Sequence, residues 1–277
     1  MTLESLRDKA KAFRVAHQGT VLVLPNAWDA VSAAIVERAG APAIATTSGG
    51  VSWALGHGDG QRLTRADMVA AVRRIAAAVT VPVTADIEGG YGPAPADVAA
   101  TVSAIVEAGA AGVNLEDSIA GTVTLFDAQA QAERLRAARD AAEAAGLPEL
   151  VINARTDVYL FGVGAPEGRL DDVLARATAY AAAGADYLFV PGLVDLDVLR
   201  RLTAAAPIPI AAMAGPGAPP VAELAAVGVR RVTVGTAIAQ AAYTLAERAA
   251  VELLTKGTYT ELEQSLDFGT LNALFGR

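Results

Sequence analysis

The sequence contains no cysteine and only two histidines, His17 and His57, among its 277 residues. The absence of cysteine excludes disulfide bonds, thiolate metal sites and a cysteine nucleophile. Two imidazoles also argue against a zinc centre. Aromatic residues make up only 5% and charged residues only 19% of the chain, whereas 53% is hydrophobic. This balance excludes a disordered chain and predicts a large buried core.

Basic clusters and long apolar runs are also missing. Lys and Arg total 22 against 30 Asp and Glu, a formal net charge of −8, which argues against nucleic acid as a partner. No apolar run is long enough to span a membrane, and the N-terminal residues lack the apolar core of a signal peptide. We therefore expect a soluble, cytoplasmic protein with no membrane partner. If its ligand is an anion, the site needs an arginine or a bound cation.

Alanine-rich helical segments alternate with short β-branched segments along the chain, joined by turns that contain glycine. Such a glycine supplies the left-handed cap of a helix, and the apolar segment after it suits a strand buried on both faces. Strands are predicted at 21–24, 43–47, 81–85, 112–115, 150–154, 187–190, 208–213 and 231–234. Eight parallel strands with helical crossovers predict a (β/α)8 TIM barrel, with 1–277 as a single domain. An open doubly wound sheet is the alternative, but its glycine-rich fingerprint is missing.

Helical segments flank the predicted barrel on both sides. Before the first strand, apolar residues at 6, 10 and 13 share one helix face that suits the lower end of the barrel. After the last strand, residues 236–277 exceed what one barrel helix requires. They predict a long helix over 236–256 and a second helix that starts at a Thr260–Glu263 capping box and ends near residue 276. Their apolar stripes predict a C-terminal extension for oligomerisation, in a homodimer or homotetramer.

Acidic residues are concentrated where the predicted strands end, which is where TIM barrels place their active sites. Asp86 and Glu88 are two residues apart, so they face the same way on an extended strand end. Glu116 follows the neighbouring strand. Carboxylates crowded in this way either protonate or share a cation, and Mg²⁺, or Mn²⁺ in its place, takes one or two of them directly and keeps several waters. The alternative is a set of solvated loop acids.

The loop after the second strand offers backbone N–H groups to an anion. Ser48, Gly49 and Gly50 stand at that strand end, and the glycines have no Cβ to block a carboxylate or phosphate. The alternative is a plain turn. Trp28, on the loop after the first strand, lies at the same predicted face and is a further candidate for substrate binding.

Arg155 follows the fifth predicted strand, opposite the acids. A guanidinium at this position can hold a ligand carboxylate with two parallel hydrogen bonds and can stabilise developing negative charge. It is therefore a candidate for both substrate binding and catalysis. The alternative is an internal salt bridge to Asp157 or Glu116.

Five segments occur in a fixed order through most of the chain: Thr47-Ser-Gly49, Asp59, Asp86-x-Glu-x-Gly-Tyr-Gly92, Asn114-Leu-Glu-Asp117 and Asn153-Ala-Arg-Thr-Asp157. In this combination they resemble the isocitrate lyase/phosphoenolpyruvate mutase superfamily. The third segment is the most specific element of the resemblance. The resemblance implies a barrel whose eighth helix is exchanged between the subunits of a dimer, often within a tetramer.

The same resemblance implies a ligand set. Mg²⁺ would be bound directly by Asp86 and through waters by Asp59, Glu88 and Glu116. Substrate would be held by Ser48, the Gly49 N–H, Arg155 and the metal.

The chain departs from the superfamily in the loop at 118–127. Lyases of the superfamily carry a Lys-Lys/Arg-Cys-Gly-His motif there, whose cysteine protonates the departing enolate, but this loop has no cysteine, lysine or histidine. Cleavage of isocitrate or methylisocitrate by that route is therefore not expected. Phosphoenolpyruvate mutation is disfavoured too, because the phosphoryl group needs basic contacts from this loop. Candidates for the missing acid are Tyr91, Tyr159 and His57.

The remaining metal and carboxylate half of the site indicates chemistry through an enolate. We expect a Mg²⁺-dependent enzyme acting on small 2-oxo or 2-hydroxy acids, by oxaloacetate decarboxylation or a related carbon–carbon lyase step. Ligands of this class include 2-oxoglutarate and pyruvate. The alternatives are a phosphoenolpyruvate mutase-like enzyme of C–P or phosphoryl-transfer chemistry, and a protein that binds 2-oxo acids without catalysis.

Overall fold

The computed structural model describes residues 2–19 and 21–276 of the chain. Within this part, nine strand segments form one parallel sheet: β1 (Leu22–Leu24), β2 (Asn26–Ala27), β3 (Ile44–Thr46), β4 (Val83–Asp86), β5 (Gly112–Glu116), β6 (Val151–Arg155), β7 (Tyr187–Phe189), β8 (Ile210–Met213) and β9 (Arg231–Thr233). β1 pairs with β9, and β2 pairs with β3. β1 lies within the predicted first strand, whereas β2 lies in the segment just beyond it that was expected to be a loop. Because only Pro25 separates β1 from β2, the sheet closes, and the predicted TIM barrel is confirmed. The break falls at Pro25, which has no N–H to donate to a neighbouring strand.

Helices connect the strands: α1 (Leu3–Ala16), α2 (Ala30–Arg38), α3 (Ser48–Ala54), α4 (Arg65–Ala78), α5 (Pro95–Ala108), α6 (Ala128–Ala144), α7 (Arg169–Ala182), α8 (Leu196–Ala205), α9 (Val221–Ala226), α10 (Ala237–Lys256) and α11 (Phe268–Ala273). The repeated glycines end helices as predicted: Gly109 follows α5 with a φ of 97° and Gly184 follows α7 with a φ of 95°. In the described part of the chain, no helix combines the length and apolarity that a membrane crossing requires.

α1 covers the lower end of the barrel with the predicted apolar face. Leu6, Ala10 and Phe13 on this helix are all buried. The Phe13 ring comes so close to β5 that a Cβ added at Gly112 would lie 2.9 Å from its Cε1 atom. Glycine at this position therefore lets the helix seat against the strand.

A polar layer lies above Phe13 in the barrel interior, and nothing in the sequence pattern indicated it. Arg231 on β9 is fully buried and donates from Nη2 to Asn114 Oδ1 at 3.2 Å, which also accepts from Asn153 Nδ2 at 2.8 Å. Burial lowers the pKa of Arg231 to about 10. Within the described residues no carboxylate contacts this guanidinium, and its one hydrogen bond is to the Asn114 amide, while Nε and Nη1 have no partner.

The C-terminal segment is only partly as predicted. The long helix α10 matches, but Thr260 and Glu263 do not cap a second helix: a single 3₁₀ turn occupies this place, and α11 begins later, after Asp267. The reason is Glu252, whose carboxylate accepts the Thr260 N–H at 3.1 Å and so bends the chain back against α10. Asp267 supplies the actual N-cap, by accepting the N–H of Thr270.

α10 does not pack along its length on the barrel. Only Ala239 and Glu252 of its residues are buried, while Leu253 is 50% and Leu254 is 85% exposed. Phe268, at the start of α11, is 84% exposed. A run of exposed apolar side chains of this extent is typical of a surface that another chain covers.

We propose that this surface is buried in a homodimer or homotetramer, so light scattering should give two or four times the chain mass. Leu254→Glu places a charge in the contact and should shift the protein toward smaller species. Val123→Glu is the matched control, because Val123 is an exposed apolar residue (69%) on the loop at 118–127 and not on the C-terminal segment. A monomeric wild-type chain would contradict the proposal.

His17, which directly follows α1, is buried in its neutral form. Its ring lies 4.4 Å from the Phe13 ring and 4.5 Å from the Tyr187 ring, measured between centroids, and its Nδ1 is 2.7 Å from Phe13 O. Burial lowers the pKa of His17 from 6.5 to about 4. Between these two values the unfolded chain binds a proton that the folded chain does not, so His17 weakens folding as the pH falls.

We expect this residue alone to lower the free energy of unfolding by about 2 kcal/mol between pH 7.5 and pH 5. Urea unfolding of the wild type and of His17→Gln at both pH values measures the effect. Other groups that titrate contribute equally to both proteins, so the difference between the two losses isolates His17. Equal losses in the two proteins would show that the histidine is not held neutral.

Candidate active site

Three strand ends bring the predicted charged residues to one side of the barrel mouth. Asp86 ends β4, Glu116 ends β5 and Arg155 ends β6. The sheet register places Glu116 directly opposite Arg155. Glu88 follows β4 and is only 2% exposed. The predicted convergence of these residues is therefore present in the structure.

Asp59 joins the group from the loop that follows α3. The loop is exposed, but the carboxylate turns inward: a Cβ added at Gly49 would lie 3.1 Å from Asp59 Oδ2. Burial of the carboxylate raises the pKa of Asp59, and the neighbouring Asp86 raises it further. Asp59 and Asp86 are thus close enough for their negative charges to repel each other.

The carboxylates destabilise each other's charged forms. Burial raises the pKa of Glu88 to about 7, with Asp86 and Asp59 adding to the effect. Burial also raises the pKa of Glu116, and the Arg155 guanidinium opposes this rise. The site therefore carries more negative charge than its own cations neutralise.

Arg155 is engaged by two of its neighbours. Its Nη1 lies 2.9 Å from Glu116 Oε2, its Nε 2.6 Å from Asp157 Oδ1 and its Nη2 3.1 Å from Asp157 Oδ2. Burial acts to lower the pKa of Arg155, but Glu116 and Asp157 raise it above its ordinary value. The structure thus contains the internal salt bridge that was the alternative for Arg155, to both of the named acids, and its contact with substrate stays a prediction.

The segment from Ser48 to Gly50 leads directly from the strand end into a helix, and its predicted contact with an anionic substrate stays a prediction. It forms the first turn of α3, and the Ser48 N–H donates to Asp86 Oδ2 at 3.1 Å instead of staying free for an anion. The glycines are needed for close packing. A Cβ at Gly49 would lie 2.8 Å from Thr236 Cγ2, and one at Gly50 would lie 2.8 Å from Trp28 Cβ.

Trp28 packs on the side of the mouth where α10 begins. Its ring lies 6.1 Å from the Tyr243 ring, and the Trp53 ring lies 6.4 Å from the same tyrosine. The three aromatic rings form a partly exposed cluster beside Gly50. The side chain of Trp28 therefore contacts α10 and α3, not the four carboxylates.

The three candidates for a proton donor lie in different places. Tyr91 is with the acids, and its hydroxyl donates to Glu88 Oε1 at 3.0 Å. Burial and the Glu88 charge both raise the pKa of Tyr91, which makes it a weak acid. Tyr159 has Arg169 and Arg201 as its charged neighbours instead. His57 is exposed on the turn after α3, and its ring makes no hydrogen bond within residues 2–19 and 21–276.

The loop at 118–127, where the proton donor was expected to be missing, forms a short hairpin. Ser118 pairs with Leu125, and the Ser118 hydroxyl donates to Glu116 Oε1 at 2.6 Å. Phe126 is held from outside, since the Arg134 guanidinium lies 4.2 Å from its ring centroid and Arg176 donates to its carbonyl at 2.9 Å. The loop is thus fixed to the barrel and offers a hydroxyl to the site.

Sequence reasoning missed two groups that hold the site in place. Asp117 is fully buried, accepts from Arg176 Nη1 at 2.9 Å and from the Tyr180 hydroxyl at 2.8 Å, and accepts the Asp157 N–H at 3.0 Å. Gln61 donates its backbone N–H to Glu88 Oε2 and accepts the Tyr91 N–H at 2.9 Å on its side-chain oxygen. Asp117 is the last residue of the segment Asn114-Leu-Glu-Asp117, whereas no feature of the sequence pointed to Gln61.

The donor set suits a hard cation in its chemistry. In the described part of the chain no three histidine, aspartate or glutamate side chains converge as a preformed metal site. Carboxylates that raise one another's pKa are nevertheless the groups that a divalent cation stabilises. A cation here would be held directly by one or two carboxylates and through water by the remaining carboxylates, as is typical of Mg²⁺.

Comparison with known proteins agrees with this geometry. The family profile described as phosphoenolpyruvate phosphomutase matches residues 13–254. The 2-methylisocitrate lyase of Escherichia coli (strain K12) is 34% identical over 217 residues, which cover 75% of this chain and 70% of that protein. The oxaloacetate decarboxylase of Rhodopseudomonas palustris (strain ATCC BAA-98 / CGA009) is 34% identical over 224 residues, 79% of this chain and 73% of that protein.

A solved structure matches almost the whole chain. It comes from Burkholderia cenocepacia J2315, and its description is that of a lyase or mutase. The two share 37% sequence identity with a TM-score of 0.90, over 99% of this chain and 98% of that one. The profile match spans the whole barrel and every residue of the candidate site, and the chain belongs to the phosphoenolpyruvate phosphomutase family, within the isocitrate lyase/phosphoenolpyruvate mutase superfamily.

Proposed function

We propose that the protein is a Mg²⁺-dependent carbon–carbon lyase or decarboxylase that acts on small 2-oxo or 2-hydroxy di-acids, with oxaloacetate as the favoured substrate. The observation that carries the proposal is the cluster of four carboxylates, three at the ends of β4 and β5 and Asp59 on the loop after α3, which Arg155 neutralises only in part. The names of the E. coli and R. palustris relatives support the same class of reaction.

Asp86 would hold the ion directly, with Asp59, Glu88 and Glu116 acting through water. When bound, Mg²⁺ supplies a Lewis acid that neutralises negative charge on the carbonyl oxygen of a 2-oxo acid. Asp86 is suited to the direct role because it ends a strand and is fixed there by the Ser48 N–H. A rigid first ligand sets where substrate has to lie.

Arg155 would orient the substrate through its carboxylate. The guanidinium already shares its donors between Glu116 and Asp157, so a ligand carboxylate would take over donors from Glu116, the partner at the strand end. Asp157 would stay in place, because it is fully buried and its own N–H is held by Asp117. Loss of carbon dioxide from oxaloacetate leaves the pyruvate enolate, which takes one proton to give pyruvate.

Decarboxylation is favoured over cleavage of a tricarboxylate by the loop at 118–127. The loop provides the Ser118 hydroxyl but no group of ordinary acidity close to the carboxylates. An enolate of pyruvate can be protonated by water, with no demand on stereochemistry. This choice distinguishes the protein from lyases that carry a cysteine in the loop.

We expect Mg²⁺-dependent pyruvate formation from oxaloacetate above the rate with Mg²⁺ alone, and no succinate from isocitrate or methylisocitrate. Asp86→Asn should lower the rate about 100-fold, since it replaces the negatively charged oxygen of the one direct ligand with a neutral amide. Asp140→Asn, on the exposed face of α6, is the matched control. Binding of oxaloacetate without turnover would establish the non-catalytic alternative, and release of succinate from either tricarboxylate would show that another group protonates the enolate.

A second expectation concerns the forked geometry of Arg155. Arg155→Lys keeps the charge but loses the paired hydrogen bonds, so oxalate or pyruvate should bind more weakly by about 1 to 3 kcal/mol in calorimetry with Mg²⁺ present. Arg200→Lys is the control, because Arg200 forms an exposed ion pair with Asp197 on α8. Unchanged affinity in Arg155→Lys would mean that Arg155 serves only its internal ion pairs.

A further inference from the structure

Three residues other than glycine adopt left-handed backbone conformations in the described part of the chain, and all three are in contact. They are Gln61, Glu88 and Tyr91, with φ of 56°, 49° and 59°. This conformation is unfavourable for a residue with a side chain, and it persists only where its surroundings hold it. Because this conformation occurs three times in one cluster, the contacts within the cluster must hold these three backbones in place.

Three hydrogen bonds close this cluster into a ring. The Gln61 N–H donates to Glu88 Oε2, the Tyr91 N–H donates to Gln61 Oε1 at 2.9 Å, and the Tyr91 hydroxyl donates to Glu88 Oε1 at 3.0 Å. Both oxygens of the Glu88 carboxylate are therefore held. Gln61 belongs to the loop after α3, whereas Glu88 and Tyr91 belong to the loop after β4, so the ring fastens one loop to the other.

The amide nitrogen of Gln61 reaches a third loop. A Cβ added at Gly89 would lie 2.8 Å from Gln61 Nε2 and 3.2 Å from Ser118 O, so both groups approach the same point. Gln61, Gly89 and Ser118 also line one cavity of about 230 Å³ behind the carboxylates. The loops after α3, β4 and β5 thus come together around Gly89, beside the Gln61 side chain.

We propose that Gln61 is a positioning residue that fixes the separation of Asp59 and Glu88 and thereby sets the affinity of the site for a divalent cation. Asp59 stands only two residues before Gln61 on an exposed loop, so the contact of Gln61 with the Glu88 loop determines where Asp59 lies. The inference rests on the proposed function, in that it takes the carboxylates to bind a cation.

The test measures Mn²⁺ binding to the full chain without substrate, by the electron paramagnetic resonance signals of free and bound ion. Gln61→Met keeps the side-chain length but removes both polar atoms. Gln61→Gly removes the side chain yet relieves the left-handed strain, so it folds even if the methionine variant does not. Gln129→Met is the matched control, because Gln129 bonds only Glu133 on the exposed face of α6.

We expect both Gln61 variants to bind Mn²⁺ about 10- to 100-fold more weakly than the wild type, with an altered spectrum of the bound ion, and Gln129→Met to bind as the wild type does. A Gln61 variant that melts at a lower temperature but keeps its Mn²⁺ affinity within twofold would overturn the inference, since Gln61 would then serve stability alone. In that case the proposed function would still be supported if the wild type binds Mn²⁺ and Asp86→Asn does not. A wild-type chain that binds no Mn²⁺ would overturn both.

Discussion

The ion pairs of Arg155 with Glu116 and Asp157 are the contacts on which the candidate site depends. They join the ends of two neighbouring strands, and they place one guanidinium between Glu116 at the end of β5 and Asp157 just after β6. One buried cation neutralises one carboxylate well and cannot neutralise the rest. Burial raises the pKa values of Asp59 and Glu88, and the neighbouring carboxylates raise them further. The site is therefore stable as an assembly only if the remaining acids take up protons or a cation.

The loops that carry these acids are held from behind by buried arginines. Arg134 donates to the carbonyls of Gly92 and Pro93 at 2.9 and 2.6 Å, and Arg176 joins Asp117 to the hairpin at Phe126. Carbonyl groups and one paired aspartate thus anchor the loops without adding charge to the mouth. Supporting contacts of this kind fix the orientation of residues that bind a ligand. The rigidity of the mouth follows from them more than from the strands alone.

The parts of the structure that follow from repetition could be predicted from the sequence. Repeated glycine caps and β-branched segments predicted the barrel, and parallel strands end at one face, so Asp86, Glu116 and Arg155 had to converge. Features set by a single tertiary contact could not be predicted. Glu252 takes the Thr260 N–H and displaces the predicted helix start, and Asp86 takes the Ser48 N–H. Gln61 has no sequence signature, because its role depends on a backbone conformation that glutamine rarely adopts.

The positions of the hydroxyl groups bear on how an enolate formed at this site would be protonated. The Tyr91 hydroxyl donates to Glu88 and the Ser118 hydroxyl donates to Glu116, so both point their protons at carboxylates. A hydroxyl that stabilises an ionised carboxylate in this way is a weak proton donor to anything else, because transfer would leave two anions side by side. The superfamily cysteine has no counterpart in this chain, and under the proposed function the proton comes from water. Protonation by water is sufficient when the product is the same whichever face of the enolate takes the proton. Decarboxylation of oxaloacetate to pyruvate is such a reaction.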